Sequence, residues 1–388
     1  MSTNSIIFFT VVFLTLFTKP VYDSDAKTDS KQLINIAGES DNSAGFISVE
    51  KAGIAGDGTS DVTDKLQQLF DKYDTVYFPK GNYLITKKLS TKSGQMIYGN
   101  GSANIVTKSG SPFNFIEVKQ KENVQIKNIN FIAPDDMHSP GYAVKIINSK
   151  GIHITNIRGT NAGVVAATGF EGVGYKNISD YKSGDRTTGS TDVVIDNCTG
   201  TGSVAAMKAT RGIWFEYVNN WKISNSSLKN YVQGIQWWGG DSNPEKDGDT
   251  SKERKTKNGI VENVTADNIA GGGIWGSMGE NITVKKCKVS NCGDVGIDFE
   301  GCFNSSAVNN TVRDCKNAGL ATFHYNKNIS FDNNTVSQSD PSNPLACIFN
   351  SSQKQDNATI SFTNNNFSVD RGTGAIVQQG PSNNIIFE

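Results

Sequence analysis

A short segment of the form apolar–x–apolar–x–Asn recurs along this chain, and its spacing constrains the fold more than any other feature of the sequence. The segment ends at Asn128, Asn156, Asn197, Asn225, Asn263, Lys286, Asn310, Asn333 and Asn364. Its shortest spacings are 23 and 24 residues, and the longer ones indicate loops inserted into the same unit. A strand this short cannot bury its apolar side chains alone, so successive units must stack on one another.

A second strand-like segment, usually opened by glycine, lies between these copies. It occurs at 212–218, 234–240, 272–278, 296–302, 319–325 and 374–380. A coil of about 23 residues with two or three strands is typical of an all-β parallel β-helix, a solenoid. Asparagine at the end of a unit suits a left-handed corner between strands. An antiparallel sandwich is the alternative fold, but it does not produce a constant period.

Composition and cysteine spacing exclude several functions. The chain carries 37 basic and 38 acidic residues, a net charge of −1, whereas a nucleic-acid-binding protein carries a basic surplus. None of the six cysteines forms a C-x-x-C pair, which gives a zinc site little support. Neither a phosphate-binding loop nor a G-x-S-x-G elbow is present. We therefore expect no nucleic-acid partner, no metal and no cofactor.

The N-terminal region differs from the repeats. Residues 6–17 form an apolar stretch of twelve residues interrupted by two threonines, too short for a membrane-spanning helix of about 20 residues. It is either a secretion signal or an attachment segment of a larger assembly, and residues 18–44 are a polar linker. We predict two regions, this segment and linker at 1–44 and a parallel β-helix catalytic domain at 45–388.

The start of the array, AGIAGDGTSDVTDKLQQLFDKYDTVYFPKGNYLI at 52–85, predicts a turn, a helix capped by Asp61, and two strands. Its G-D-G-x-x-D-x-T and V-Y-F-P-x-G-x-Y elements resemble the N-terminal cap of the pectate-lyase-like superfamily. The segment CGDVGIDFEGC at 292–302 is similar to a rung of bacteriophage tailspike depolymerases. The resemblance implies a single-stranded right-handed parallel β-helix with a short N-terminal capping helix. It also implies a bacterial polysaccharide as partner, a homotrimer, and a location on a phage tail or outside the cell.

The repeat predicts which outward side chains stack. In GIDFEGC, Ile297 and Phe299 point inward, so Asp298 and Glu300 point outward. Counting by 23 and allowing for insertions gives one outward column: Trp214 and Glu216, Gln236 and Trp238, Trp275 and Ser277, Asp298 and Glu300, Ala321 and Phe323. Aromatic rings beside carboxylates are typical of a sugar-binding surface, so the predicted substrate-binding residues are Trp214, Gln236, Trp238, Trp275 and Phe323.

Asp298 and Glu300 lie two residues apart on one strand face, with Cα atoms about 6.5–7 Å apart. Two carboxyl groups at such a distance can act as acid and base in glycoside hydrolysis, and the spacing slightly favours inversion. We predict Glu300 as the acid and Asp298 as the base. Asp294 can substitute for either, and Glu216 can pair across rungs instead.

Two other functions stay open. A polysaccharide lyase or uronan epimerase on this fold needs a cationic base, and the predicted column contains no Lys or Arg, although Lys208 and Arg211 precede it. A non-catalytic glycan-binding spike would keep its function when both acids become amides. The leading prediction is a depolymerase that hydrolyses a bacterial capsule or O-antigen.

Overall fold

The computed structural model describes residues 45–388 except 109, 111–112, 136–140, 170–188, 205, 241–253, 350–358, 373 and 380–384. The predicted N-terminal segment at 1–44 lies outside the described residues. Two helices are described, α1 (Thr63–Lys72) and α2 (Ala206–Ala209).

The strands, in chain order, are β1 Phe46–Ser48, β2 Asp57–Asp61, β3 Thr75–Phe78, β4 Gly81–Leu84, β5 Leu89–Ser90, β6 Met96–Val106, β7 Ile116–Lys119, β8 Gln125–Ile132, β9 Tyr142–Ile147, β10 Lys150–Thr155, β11 Arg158–Thr160, β12 Gly163–Thr168, β13 Ser190–Asp196, β14 Thr199–Thr201, β15 Arg211–Glu216, β16 Val218–Ser224, β17 Ser227–Lys229, β18 Gln233–Trp238, β19 Thr256–Glu262, β20 Thr265–Ile269, β21 Ile274–Ser277, β22 Gly279–Lys285, β23 Lys288–Cys292, β24 Val295–Glu300, β25 Phe303–Val308, β26 Thr311–Cys315, β27 Ala318–Phe323, β28 Lys327–Asp332, β29 Thr335–Gln338, β30 Ala346–Phe349, β31 Ile360–Thr363, β32 Asn366–Val369, β33 Ile376–Gln379 and β34 Ile385–Phe387.

These strands form a parallel β-helix with three faces, as the repeat predicts. Face 1 is an 11-stranded sheet that runs from β5 through β7, β9, β12, β15, β18, β21, β24, β27 and β30 to β33. The other strands form a 23-stranded sheet, which divides into two ladders that share β6 and β8. Face 2 is the ladder that continues through β10 to β34, and face 3 is the one that continues through β11 to β32.

The asparagine corners adopt the predicted left-handed conformation, which costs asparagine less than most other residues. Asn128, Asn263 and Asn333 have φ of 59°, 54° and 53°, and Lys286 takes the same place at 55°. The sequence prediction was wrong by one residue in one coil, because the corner is Asn309, with φ of 58°. Asn310 instead points inward, where its Oδ1 accepts a hydrogen bond from the Cys287 backbone N–H at 2.9 Å.

The capping helix α1 packs its apolar face against the first coils. Leu66 and Phe70 are fully buried, and the Phe70 ring meets that of Phe78 edge-on at 6.3 Å. The prediction of Asp61 as N-cap was wrong by one position, since the cap is Val62. Asp61 nevertheless accepts the Thr63 backbone N–H at 2.9 Å, which satisfies one of the free donors at the helix start.

The interior beneath face 1 contains a row of aromatic rings. Phe299 lies 5.7 Å from Trp237 and 5.8 Å from Phe331, centroid to centroid, and it is fully buried. Phe299 is also the residue between Asp298 and Glu300. Its packing therefore fixes the strand on which both acids are carried.

We expect Phe299→Ala to destabilise the protein by about 3–5 kcal/mol, because the substitution leaves a cavity in a close-packed interior. Chemical denaturation followed by fluorescence measures the effect. Phe387→Ala is the matched control, because Phe387 is 48% exposed and should cost much less. Equal losses for the two variants would contradict the central role of Phe299.

Candidate active site

Face 1 carries the predicted outward column, and its strands pair in the register that the repeat predicts. The first row runs Trp214, Gln236, Trp275, Asp298 and Ala321, and the second runs Glu216, Trp238, Ser277, Glu300 and Phe323. All of the predicted substrate-binding residues and the two predicted acids thus share one face of the solenoid.

Asp298 and Glu300, the carboxylate pair, lie at the end of β24. Asp298 is only 4% exposed, whereas Glu300 is half-buried. Burial raises the pKa of Asp298 well above its ordinary value, and the negative charges of Glu300 and Asp294 raise it further. The two carboxyl groups are close enough to share a hydrogen bond when one is protonated. The pair therefore tends to retain one proton, as acid–base catalysis requires.

Asp294 lies on the turn that leads into the same strand. Its Oδ1 accepts a hydrogen bond from Asn317 Nδ2 at 2.7 Å, and its backbone N–H donates to the Gly271 carbonyl oxygen at 3.2 Å. Asp294 is close enough to influence the pKa of Asp298. The structure therefore gives it an electrostatic role beside the pair, with its carboxylate held by Asn317.

Aromatic and apolar side chains flank the carboxylate pair. Trp275 is half-buried, and its indole Nε1 donates to Gln233 Oε1 at 2.7 Å, which holds the ring beside Asp298. On the other side, Ala321 is fully buried and Phe323 is half-buried. Low polarity on both sides explains why Asp298 favours its neutral form.

Glu216 lies near the N-terminal end of the column and is 2% exposed. Burial raises its pKa to about 7, although the charges of Lys145 and Arg211 act in the opposite direction. Three rungs separate Glu216 from Glu300, which is about 14 Å at the usual strand spacing. At this distance the two cannot act on the same bond, so Glu216 belongs to a second centre on face 1.

Lys145 and Tyr142 belong to this second centre, and the sequence prediction missed both. Lys145 pairs with Ala166, which pairs with Trp214, so Lys145 extends the first row by two rungs. The predicted column, which contained no Lys, was therefore too short by these two rungs. The signal was present in GYAVKII at 141–147, a strand opened by glycine, but a long insertion between this strand and Trp214 interrupts the count of 23.

The side chains of Lys145, Arg211 and Trp214 form a cationic cluster. Lys145 Nζ lies 4.9 Å and the Arg211 guanidinium carbon 4.8 Å from the centre of the Trp214 ring. Burial lowers the pKa of Lys145 to about 8. Arg211 Nε donates to Gln236 Oε1, so the glutamine predicted to bind sugar also orients the guanidinium.

Two buried carboxyl oxygens on face 1 have no hydrogen-bond partner within the described part of the chain. They are Asp298 Oδ1 and Glu216 Oε2. An unsatisfied buried acceptor costs about 1–3 kcal/mol, so such atoms are uncommon in folded proteins. The donor for either oxygen is therefore not among the described residues.

Within the described ranges, no cluster of three or more His, Cys, Asp or Glu side chains is arranged to hold a metal ion. No described helix has the length and apolarity that crossing a membrane requires.

Comparison with solved structures shows the same fold in proteins of low sequence identity. The A-module of a mannuronan C-5 epimerase from Azotobacter vinelandii is 14% identical, with 88% of this chain and 99% of that chain covered and a TM-score of 0.54. An endo-xylogalacturonan hydrolase from Aspergillus tubingensis is 12% identical, with 83% and 93% covered and a TM-score of 0.57. A mutant tailspike protein of E. coli bacteriophage HK620, in complex with a hexasaccharide, is 11% identical, with 80% and 62% covered and a TM-score of 0.54.

Two family models match the sequence, although no curated protein does. Residues 246–388 match the right-handed β-helix region, which confirms the predicted handedness. Residues 46–298, more than half of the chain, match the model described as rhamnogalacturonase A/epimerase, pectate lyase-like. The chain belongs to this pectate-lyase-like family of right-handed parallel β-helix proteins.

Proposed function

We propose that this protein is a depolymerase that cleaves a bacterial surface polysaccharide by glycoside hydrolysis at Asp298 and Glu300. The observation that carries the proposal is the geometry of the carboxylate pair. Two acids share an outward strand end, one is buried and favours its neutral form, and aromatic rings flank both. Solved structures of the same fold include an endo-xylogalacturonan hydrolase and a tailspike bound to a hexasaccharide.

The burial of the two acids supports the two roles in the order opposite to the sequence prediction. Asp298 is the more buried acid and holds the proton, so it donates to the leaving oxygen of the glycosidic bond. Glu300 is half-buried, and in this assignment it acts as base or nucleophile. The carboxyl groups of Asp298 and Glu300 lie within hydrogen-bonding reach of each other. Their separation therefore fits the ~5–5.5 Å between the two carboxyl groups of retaining enzymes better than the ~6.5–9.5 Å of inverting ones.

A lyase or epimerase is the second candidate, and the cationic cluster is the observation that favours it. Lys145 has a pKa lowered to about 8, which makes it available as a base near neutral pH. Arg211 beside it can neutralise a sugar carboxylate, and Tyr142 lies within hydrogen-bonding reach of Arg211. Such chemistry would take place about 14 Å from the carboxylate pair, because three rungs separate Trp214 from Asp298.

Incubation with a panel of capsules and O-antigens, followed by mass analysis, tests the two candidates. Hydrolysis adds one water to each cleaved bond and leaves a saturated product. A lyase leaves an unsaturated sugar that absorbs in the near ultraviolet, and an epimerase leaves the chain length unchanged. A protein that binds a glycan but releases and alters none of it is a non-catalytic spike, which refutes both enzymatic proposals.

Location and assembly are parts of the same proposal. A depolymerase of this kind acts on a phage tail or outside the cell, as a homotrimer, where it meets intact surface glycan. Sedimentation of the purified full chain measures the oligomeric state, and a monomer at micromolar concentration would contradict the trimer.

A further inference from the structure

Arg254 is a charged side chain that the fold buries next to the carboxylate pair. It is 1% exposed, and its guanidinium carbon lies 3.4 Å from the centre of the Phe303 ring. Burial of a guanidinium is costly unless polar groups bind it. Arg254 Nε donates to the carbonyl oxygen of Gly301 at 2.8 Å, and Gly301 directly follows Glu300. The buried charge therefore binds the backbone at the end of the strand that carries Glu300.

Gly301 is the corner at which the chain turns from face 1 to face 2. Its φ is 57°, and Met278 and His324, at the same place in the two neighbouring coils, have φ of 52° and 67°. Glycine reaches this left-handed region at little cost, but it also adopts many other conformations. A glycine by itself does not hold the corner in one conformation, so the corner after Glu300 depends on contacts from elsewhere in the chain.

Two side chains supply such contacts. Asn326 is fully buried, and its Oδ1 accepts a hydrogen bond from the Cys302 backbone N–H at 2.8 Å. Asn326 Nδ2 donates to the carbonyl oxygen of Phe299, also at 2.8 Å. Asn326 thus fixes the backbone on both sides of Glu300, and Arg254 binds the corner itself.

Arg254 stands at the end of the insertion that follows β18. The pairing of β19 with β22 and of β22 with β25 places it two coils before Gly301. The insertion begins after Gly240, whose carbonyl oxygen accepts a hydrogen bond from Ser277 Oγ at 2.8 Å. Ser277 pairs with Glu300 in the register of face 1. Both described ends of the insertion are therefore bound beside Glu300.

We propose that Arg254 is a positioning residue for Glu300. It binds the Gly301 carbonyl oxygen and stacks on Phe303, which fixes the end of β24 and the direction in which the Glu300 side chain leaves it. A hydrogen bond from a charged donor is about twice as strong as a neutral one, so a guanidinium suits this task. The inference rests on the proposed function in one respect, that Glu300 acts on the glycosidic bond.

Hydrogen exchange of the full-length chain tests the contact without any substrate. In Arg254→Gln, the backbone amides of Gly301 and Cys302 should exchange about 10- to 100-fold faster, the effect of losing a hydrogen bond to a charged group. Arg254→Lys keeps a cation and a donor, so it should restore part of the protection. Unchanged exchange at this corner in folded Arg254→Gln protein would overturn the proposal.

Phe131→Ala is the matched control for hydrogen exchange. Phe131 is fully buried in β8, so its loss should destabilise the chain. Coils of a solenoid are stabilised mainly by their immediate neighbours, and β8 lies many coils from Gly301. The control should therefore leave exchange at this corner unchanged.

Cleavage kinetics test whether the contact matters for catalysis. Arg254→Gln should lower kcat by about 10- to 100-fold with little change in KM, because a misplaced catalytic group slows the reaction without weakening glycan binding. Arg254→Lys should recover part of the rate. An unchanged kcat in Arg254→Gln would overturn the proposal even if the corner exchanges faster.

A double variant decides whether Arg254 acts through Glu300. In a Glu300→Ala chain the carboxylate is gone, so adding Arg254→Gln should leave the remaining rate unchanged, with or without added formate in place of the carboxylate. If the losses from the two substitutions multiply instead, Arg254 acts independently of Glu300 and the proposal is wrong. A natural chain that cleaves no glycan would refute the hydrolase, and exchange at the corner would then decide whether Arg254 holds it.

Discussion

Asp298→Asn is expected to slow glycan cleavage by about 10²- to 10⁴-fold while leaving glycan binding intact, because it removes the proton donor and keeps the shape of the side chain. Steady-state rates on the polysaccharide identified by the panel measure the loss. In the natural protein the rate should fall as pH rises through the raised pKa of Asp298, since the acid must be protonated. The variant should lose this alkaline limb.

The same substitution should not destabilise the protein at neutral pH. The pKa of Asp298 is raised in the folded state above its ordinary value of 3.8, so folding favours its neutral form. The contribution of Asp298 to the stability of the folded state is fully present below the ordinary pKa, and it is lost as pH rises through the raised pKa of the folded state. Asparagine does not ionise, so the variant should unfold at an equal or higher temperature at neutral pH, and the difference should disappear in acid. Unchanged cleavage by a folded variant would remove Asp298 from the mechanism.

Glu300→Ala is expected to reduce cleavage by a similar factor of about 10²- to 10⁴-fold, because it removes the group that activates water or attacks the sugar. The shorter side chain leaves space beside Phe323 and Ser277, its partners in the register. Formate or azide should occupy that space and restore part of the rate. Measurements with and without formate distinguish a chemical role from a structural one.

Glu280→Ala is the matched control for this experiment. Glu280 lies on face 2, where its carboxylate pairs with Lys257 Nζ at 3.6 Å, and surface ion pairs of this kind contribute about 0–1 kcal/mol. Its loss should leave both cleavage and the response to formate unchanged. If Glu280→Ala also loses activity, and formate restores the rate of neither variant, the loss at Glu300 reflects folding and not catalysis.

The stacking register was accessible from the sequence because each coil repeats one local rule. Inward and outward side chains alternate along a strand, and a constant number of residues per coil places like positions one above another. The pairing of Trp275 with Asp298 and of Asp298 with Ala321 follows from counting alone. The single corner error, at Asn309, arose because two adjacent asparagines fit the pattern equally well.

Insertions limited this counting. The long spacing between Asn156 and Asn197 interrupted the register, so Lys145 and Tyr142 were not assigned to the column. The strand that contains both carries the same glycine and apolar pattern as later ones, but nothing in the sequence specifies how many inserted residues to omit. Only the pairing of Ala166 with both Lys145 and Trp214 places them on face 1.

By itself, the sequence determined the solenoid, its period and the outward position of both acids, because these depend on local alternation repeated from coil to coil. Tertiary structure alone decided that the pKa of Asp298 is raised, since this pKa depends on burial and on charges brought near it by other parts of the chain. It also decided that two cations meet at one indole ring, because that contact joins side chains from strands separated by an inserted loop.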